Sequence, residues 1–148
     1  MLDAAKEVFE TMIFMNISES PDQDERLPGD TYLGSITFKG NIEGCLGVTM
    51  TQVCAETVAA NMLCLEPGEE IPEADLADAI GEVANMVMGS VKTRVQDTIP
   101  NIELSIPTVI YGRIINSNVG DCPIKEKIKV KVDEFDAELS IVCRLARS

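Results

Sequence analysis

The sequence predicts an α+β fold: a single domain over residues 1–148, with an antiparallel sheet, two long amphipathic helices and pseudo-two-fold symmetry. Three observations predict it. Helical and strand periodicities follow one another in the order helix, two strands, helix, helix, strands. Two of the helices share a pattern. Asp3-Ala-Ala-Lys-Glu7-Val-Phe-Glu10 matches Asp78-Ala-Ile-Gly-Glu82-Val-Ala-Asn85. Each half also carries an acid-led apolar stretch, Glu43-Gly-Cys-Leu-Gly-Val and Asp136-Ala-Glu-Leu-Ser-Ile. Chance similarity between amphipathic helices competes with duplication. The shared spacing favours a degenerate repeat over 1–73 and a second repeat over 74–148. Finally, 148 residues that are 45% hydrophobic can bury a core without a metal or a disulfide.

Each element has its own signal. Residues 2–15 place Ala5, Val8, Phe9 and Met12 on one helix face and Asp3, Glu7 and Glu10 opposite. Residues 17–30 are polar and interrupted by two prolines, which predicts a loop; Asp22, Asp24, Glu25 and Asp30 do not fit a calcium-loop spacing. Residues 31–38 and 43–50 read as a hairpin around Lys39-Gly40-Asn41. Thr51 is an N-cap for a helix through Cys64, apolar at Val53, Val58, Ala59 and Met62. A turn over 66–73 includes Pro67-Gly68, and the second long helix runs from Ala74 to about Asp97. Beyond Pro100-Asn101, strands are expected at 102–112, 126–132 and 137–145, with turn chemistry at Gly120-Asp121. The alternating lysines from Lys125 to Lys131 suit a strand edge that resists aggregation better than a ligand patch.

Charge and missing residue types exclude whole classes of function. A net charge of −13 and a pI near 4.3 oppose binding to nucleic acid or to an anionic membrane. The chain has no His, which removes Ser-His-Asp and Cys-His nucleophile pairs and every His-ligated metal site. Trp is absent too, leaving little for base stacking. Cys45, Cys54, Cys64, Cys122 and Cys143 form no C-x-x-C pattern and read as buried free thiols of a cytoplasmic protein. Met1-Leu-Asp-Ala-Ala-Lys-Glu has no basic stretch followed by an apolar core, so no signal peptide is expected, and no apolar run approaches the ~20 residues of a membrane span.

The informative segment is the second long helix. Asp78, Glu82 and Asn85 fall on one stripe, and Leu76, Ile80, Val83, Val87 and Val91 cluster on the opposite side. Lys92 continues the stripe. Gly81 and Gly89 lie on or beside it, each costing about 1 kcal/mol against Ala in a helix interior. Missing side chains beside a carboxylate and an amide let another surface approach. Tight packing within the fold is the competing explanation, and the helix alone leaves both open.

The stretch Asp78-x3-Glu82-x2-Asn85, followed further on by Pro107, resembles the signature of the CheC/CheX/FliY phosphatases of bacterial chemotaxis. Ala79-Ile-Gly-Glu-Val-Ala-Asn-Met-Val-Met-Gly89 and Ser105-Ile-Pro-Thr-Val-Ile-Tyr-Gly112 resemble that family as well. The likeness spans almost the whole chain. One intact motif in about 150 residues is closest to the CheX type, with Glu10 standing where the second half has Asn85. The resemblance implies a CheC-like fold and hydrolysis of the aspartyl phosphate of a CheY-like response regulator. It implies that Asn85 orients the attacking water and that Glu82 pairs with a lysine of the receiver. Asp78, Gly81, Gly89 and Lys92 would meet the partner, while Pro107 would be structural. The chain itself would bind no metal or other cofactor; Mg²⁺ would belong to the receiver. A homodimer paired at a strand edge is also implied. The competing readings are a non-catalytic receiver-binding scaffold and a flagellar-switch-like structural module. A module that only docks has no need of the Asn85 amide.

Overall fold

A computed structural model describes residues 1–24, 26–66, 69–112 and 124–146. Glu25, Cys122 and the turns expected at Pro67-Gly68 and Gly120-Asp121 lie outside the described residues. The chain runs α1 (Leu2–Val8), a π-helical turn (Phe9–Ile13), β1 (Ile17–Glu19), β2 (Thr31–Lys39), β3 (Ile42–Thr51) and α2 (Gln52–Met62). It continues with α3 (Glu73–Val95), β4 (Glu103–Leu104), β5 (Thr108–Gly112), β6 (Ile124–Val132) and β7 (Phe135–Leu145). All strands join one antiparallel sheet in the order β1-β6-β7-β3-β2-β4, with β5 also on β2. The β2–β3 and β6–β7 hairpins lie side by side, with β3 against β7 in the centre. This is the expected α+β architecture.

Alternation along the strands builds the core. Ile36, Phe38, Leu46, Val48, Met50, Val130, Val132, Ala137 and Leu139 are buried in one cluster with Ala5, Val8, Val58, Ile80, Val83 and Val87 of the helices. Thr51 caps α2 as expected, its side chain accepting from the Cys54 amide at 3.3 Å. Cys54 and Cys143 are buried, but Cys64 is exposed just past α2 at φ +55°, which corrects its assignment to the interior. Burial, with help from Asp136 and Asp133, pushes the Cys54 thiol up to about 12, which disfavours the thiolate.

Four local features differ from the sequence reading. The expected loop over 17–30 opens with β1, which pairs Ile17 with Val132. The first helix is α-helical only to Val8. Its π turn buries Phe9 and Ile13 and rotates Met12 outward to 59% exposure, although simple helical periodicity places Met12 inside. β6 is an edge only in part, because β1 covers Val130–Val132; Lys127 pairs with Glu138 at 3.3 Å across to β7. The strand expected at 102–112 is broken. Leu104 pairs with Phe38 and Thr108 with Ser35, so residues 105–107 face only 36 and 37 of β2. The extra residue is a bulge. Pro107 has no N–H to donate there, and Ser105 repairs the ladder. Its amide donates to the Thr37 carbonyl at 2.9 Å and its hydroxyl accepts from the Thr37 amide at 3.0 Å.

Helix α3 rests on this sheet through a glycine. A Cβ on Gly34 would sit 2.9 Å from the Ile80 carbonyl oxygen, a backbone atom that cannot swing aside. On α3 itself, a Cβ on Gly81 would stand 3.5–3.7 Å from Val109 and Pro107, which is ordinary contact. The two glycines should therefore respond oppositely to alanine. Gly34→Ala is expected to overpack the α3–β2 contact and cost about 1–3 kcal/mol. Gly81→Ala is expected to hold or raise stability, by at most about 1 kcal/mol of helix propensity. Chemical denaturation of both variants checks this; equal losses would place α3 at the wrong height.

Candidate functional site

Helix α3 starts after Pro72, with Glu73 and Asp75 in its first turn and Lys92 and Arg94 in its last, both matched to the helix dipole. Leu76, Ala79, Ile80, Val83, Ala84, Val87 and Met88 are buried. That apolar stripe fixes the helix's rotation, so Asp78 and Glu82 are exposed and Asn85 is half-buried on the outward side. Among the described residues, none of these three side chains has a hydrogen-bond or ion-pair partner. An amide with both its donor and its acceptor unspent therefore sits one turn from a free carboxylate.

The flanks of this ridge are built by different elements. On one side the β4–β5 bulge lays the Pro107 ring against Gly81. Gly81 is thus buried, and its assignment to the partner-facing stripe is corrected: its missing side chain admits Pro107, not a partner. The expected structural role of Pro107 agrees with this contact. Gly89 is different. Nothing lies within 4 Å of a Cβ placed on it, so it opens the surface one turn beyond Asn85. Lys92 follows, half-buried.

On the other side lies α1. The Arg94 Nη2 donates to Glu7 Oε2 at 2.8 Å and to the Asp3 carbonyl at 3.3 Å, and the Ser90 hydroxyl donates to the same Glu7 oxygen at 2.9 Å. The Ser90 bond first, then Arg94, holds the Glu7 carboxyl below its ordinary value. Glu7 stands where the matching helix pattern has Glu82, yet its carboxylate is spent on α3. Sequence reasoning put Glu7 on the solvent face and missed this clamp, because a pairing with Arg94 is set by tertiary contact and leaves no local signal. Glu10, which matches Asn85 in the sequence pattern of the two helices, is exposed.

Chemically, the ridge can present hydrogen-bonding groups to an incoming surface but holds no nucleophile. Among the described residues no group of three or more Cys, Asp or Glu side chains could hold a metal ion. None of the described helices is long and apolar enough to cross a membrane.

Comparison with known proteins bears out the expected family. No curated protein gives a significant sequence match. The fold resembles chemotaxis protein CheX of Desulfovibrio desulfuricans, with a TM-score of 0.80 at 22% identity, covering 97% of this chain and 95% of that one. CheX of Vibrio vulnificus gives 0.78 at 22% identity, covering 97% and 93%. The CheX–CheY–BeF3–Mg²⁺ complex of Borrelia burgdorferi gives 0.71 at 21%, covering 97% and 94%. At such identities the likeness is one of fold. The model of the chemotaxis phosphatase CheX family, however, matches residues 32–124, which include the whole ridge and its Pro107 flank. With more than half of its length matched, the chain belongs to the chemotaxis phosphatase CheX family.

Proposed function

We propose that the protein hydrolyses the aspartyl phosphate of a CheY-like response regulator and that α3 performs the work. The observation that carries this reading is the Asn85 amide, unpartnered among the described residues on the outward face of a helix whose position is set from three sides. Hydrolysis of an acyl phosphate needs a water held in line with phosphorus and little else from the second protein. The Asn85 carbonyl can accept from that water while its NH₂ donates to a phosphoryl oxygen, and neither group titrates. Orienting the water accounts for several kcal/mol of barrier. Glu82, one turn earlier, pairs with a lysine of the receiver and fixes the register. Asp78 extends the acidic lead. Mg²⁺ belongs to the receiver, whose own carboxylates hold it.

A scaffold that only binds receivers is served by Glu82 alone, so the amide separates the two readings. Phosphate release from a phosphorylated receiver is the assay. Wild type is expected to accelerate it. Asn85→Ala should lose at least about tenfold in turnover with the complex intact, as removal of a transition-state contact does. Glu82→Ala should weaken binding as well. Glu10→Ala should leave turnover unchanged, because a carboxylate there would repel phosphate. Wild-type turnover in Asn85→Ala would sink the mechanism.

We also infer a homodimer. Among the described residues β6 before Lys129 pairs only with β7, which leaves a strand edge for a second copy. Sedimentation over a hundredfold range of concentration should reveal a reversible dimer; a monomer throughout would refute it.

A further inference from the structure

Two exposed apolar features border the ridge, and the mechanism uses neither. Ile106, at the crest of the β4–β5 bulge, is 87% exposed. Its neighbour Pro107 lies on Gly81, the residue before Glu82. On the opposite flank a groove of about 290 Å³ runs between α1 and α3, with Val8, Met12, Met86 and Gly89 along it and Glu7 and Arg94 at the rim. Met12 stands there because the π turn rotates it out of the core. A bulge and a π turn are both departures from regular structure. Each turns a large apolar side chain toward solvent, and Met12 does so in a groove lined by Met86 and Gly89, which flank Asn85 on α3.

We propose that Ile106 and the Met12 groove grip the receiver domain and set affinity and receiver choice, leaving the rate to Asn85. The inference rests on the phosphatase reading above. The occupant follows from continuity and size. Gly89 is four residues from Asn85 on α3, about 6 Å along the axis. A standard interface buries about 800 Å² per partner, a patch of roughly 16 Å radius. A receiver seated on Asn85 therefore covers the groove, and the same radius reaches past Gly81 to the Pro107 flank of the bulge. Interface centres are depleted of charge and enriched in Met and aromatic residues. The ridge alone offers two carboxylates and an amide, which steer and align but desolvate poorly. The apolar flanks supply what the ridge lacks: Ile106 as a knob for a receiver pocket, the groove as a pocket for a receiver side chain.

Both positions are exposed, so each can be changed without opening the core. The variants are Met12→Glu, Ile106→Ser and Gly89→Leu, which fills the groove from the floor. The receiver is one whose phosphate release wild type accelerates. Melting temperatures should stay within a few degrees of wild type. KM for the phosphorylated receiver should rise at least tenfold in each, with kcat within about twofold. The same variants should lose affinity for the beryllofluoride-loaded receiver. Unchanged KM in Met12→Glu and Ile106→Ser, with Asn85→Ala inactive, would overturn the grip and keep the phosphatase reading. A fall in kcat without a change in KM would also overturn it. Full turnover in Asn85→Ala, or no receiver accelerated at all, would overturn the reading beneath it.

Discussion

Everything at the ridge depends on how low α3 sits on the sheet. The Ile80 carbonyl approaches Gly34 so closely that no side chain fits between them. That contact presses the apolar stripe of α3 into the core, and the stripe determines which residues are left outside. The β4–β5 bulge then lays Pro107 against Gly81 from one flank, while Arg94 and Ser90 bind Glu7 of α1 from the other. A helix held on three sides presents Glu82 and Asn85 with little freedom to rotate. The proposed water positioning needs that rigidity, because catalysis by orientation fails with small misplacements.

The two helices with matching patterns end in opposite chemical states. Glu82 keeps its carboxylate free among the described residues, whereas Glu7 gives its carboxylate to Arg94 and Ser90. Asn85 keeps an amide, and Glu10 has none to offer. The first helix thus supports the second.

Much of this was legible in the sequence. Apolar periodicity located α2, α3, the β2–β3 hairpin and the strands β6 and β7 to within a residue or two, and Thr51 announced its cap. The outward stripe of Asp78, Glu82 and Asn85 followed from 3.6-residue geometry alone. What escaped had no local signature. The π turn that expels Met12 inserts one residue into a helix that otherwise reads as regular. The bulge at 105–107 depends on the count of residues across on β2. Gly81 and Gly89 look alike in sequence, but only the path of β5 buries one and leaves the other open. The Glu7–Arg94 pair joins residues from opposite halves of the chain. Short-range pattern cannot register such contacts, because tertiary packing selects them after local structure forms.

The central claim is that an amide, and specifically its ability to donate as well as accept, turns a docking helix into a phosphatase. Asn85→Asp tests it most directly. The side chain keeps its size and its acceptors but loses the NH₂ donor and gains a negative charge beside the phosphoryl group. Turnover at saturating phosphorylated receiver should fall to the receiver's own rate of phosphate loss, while affinity for the unphosphorylated receiver stays within about threefold of wild type. Turnover at the wild-type level in Asn85→Asp would contradict the account.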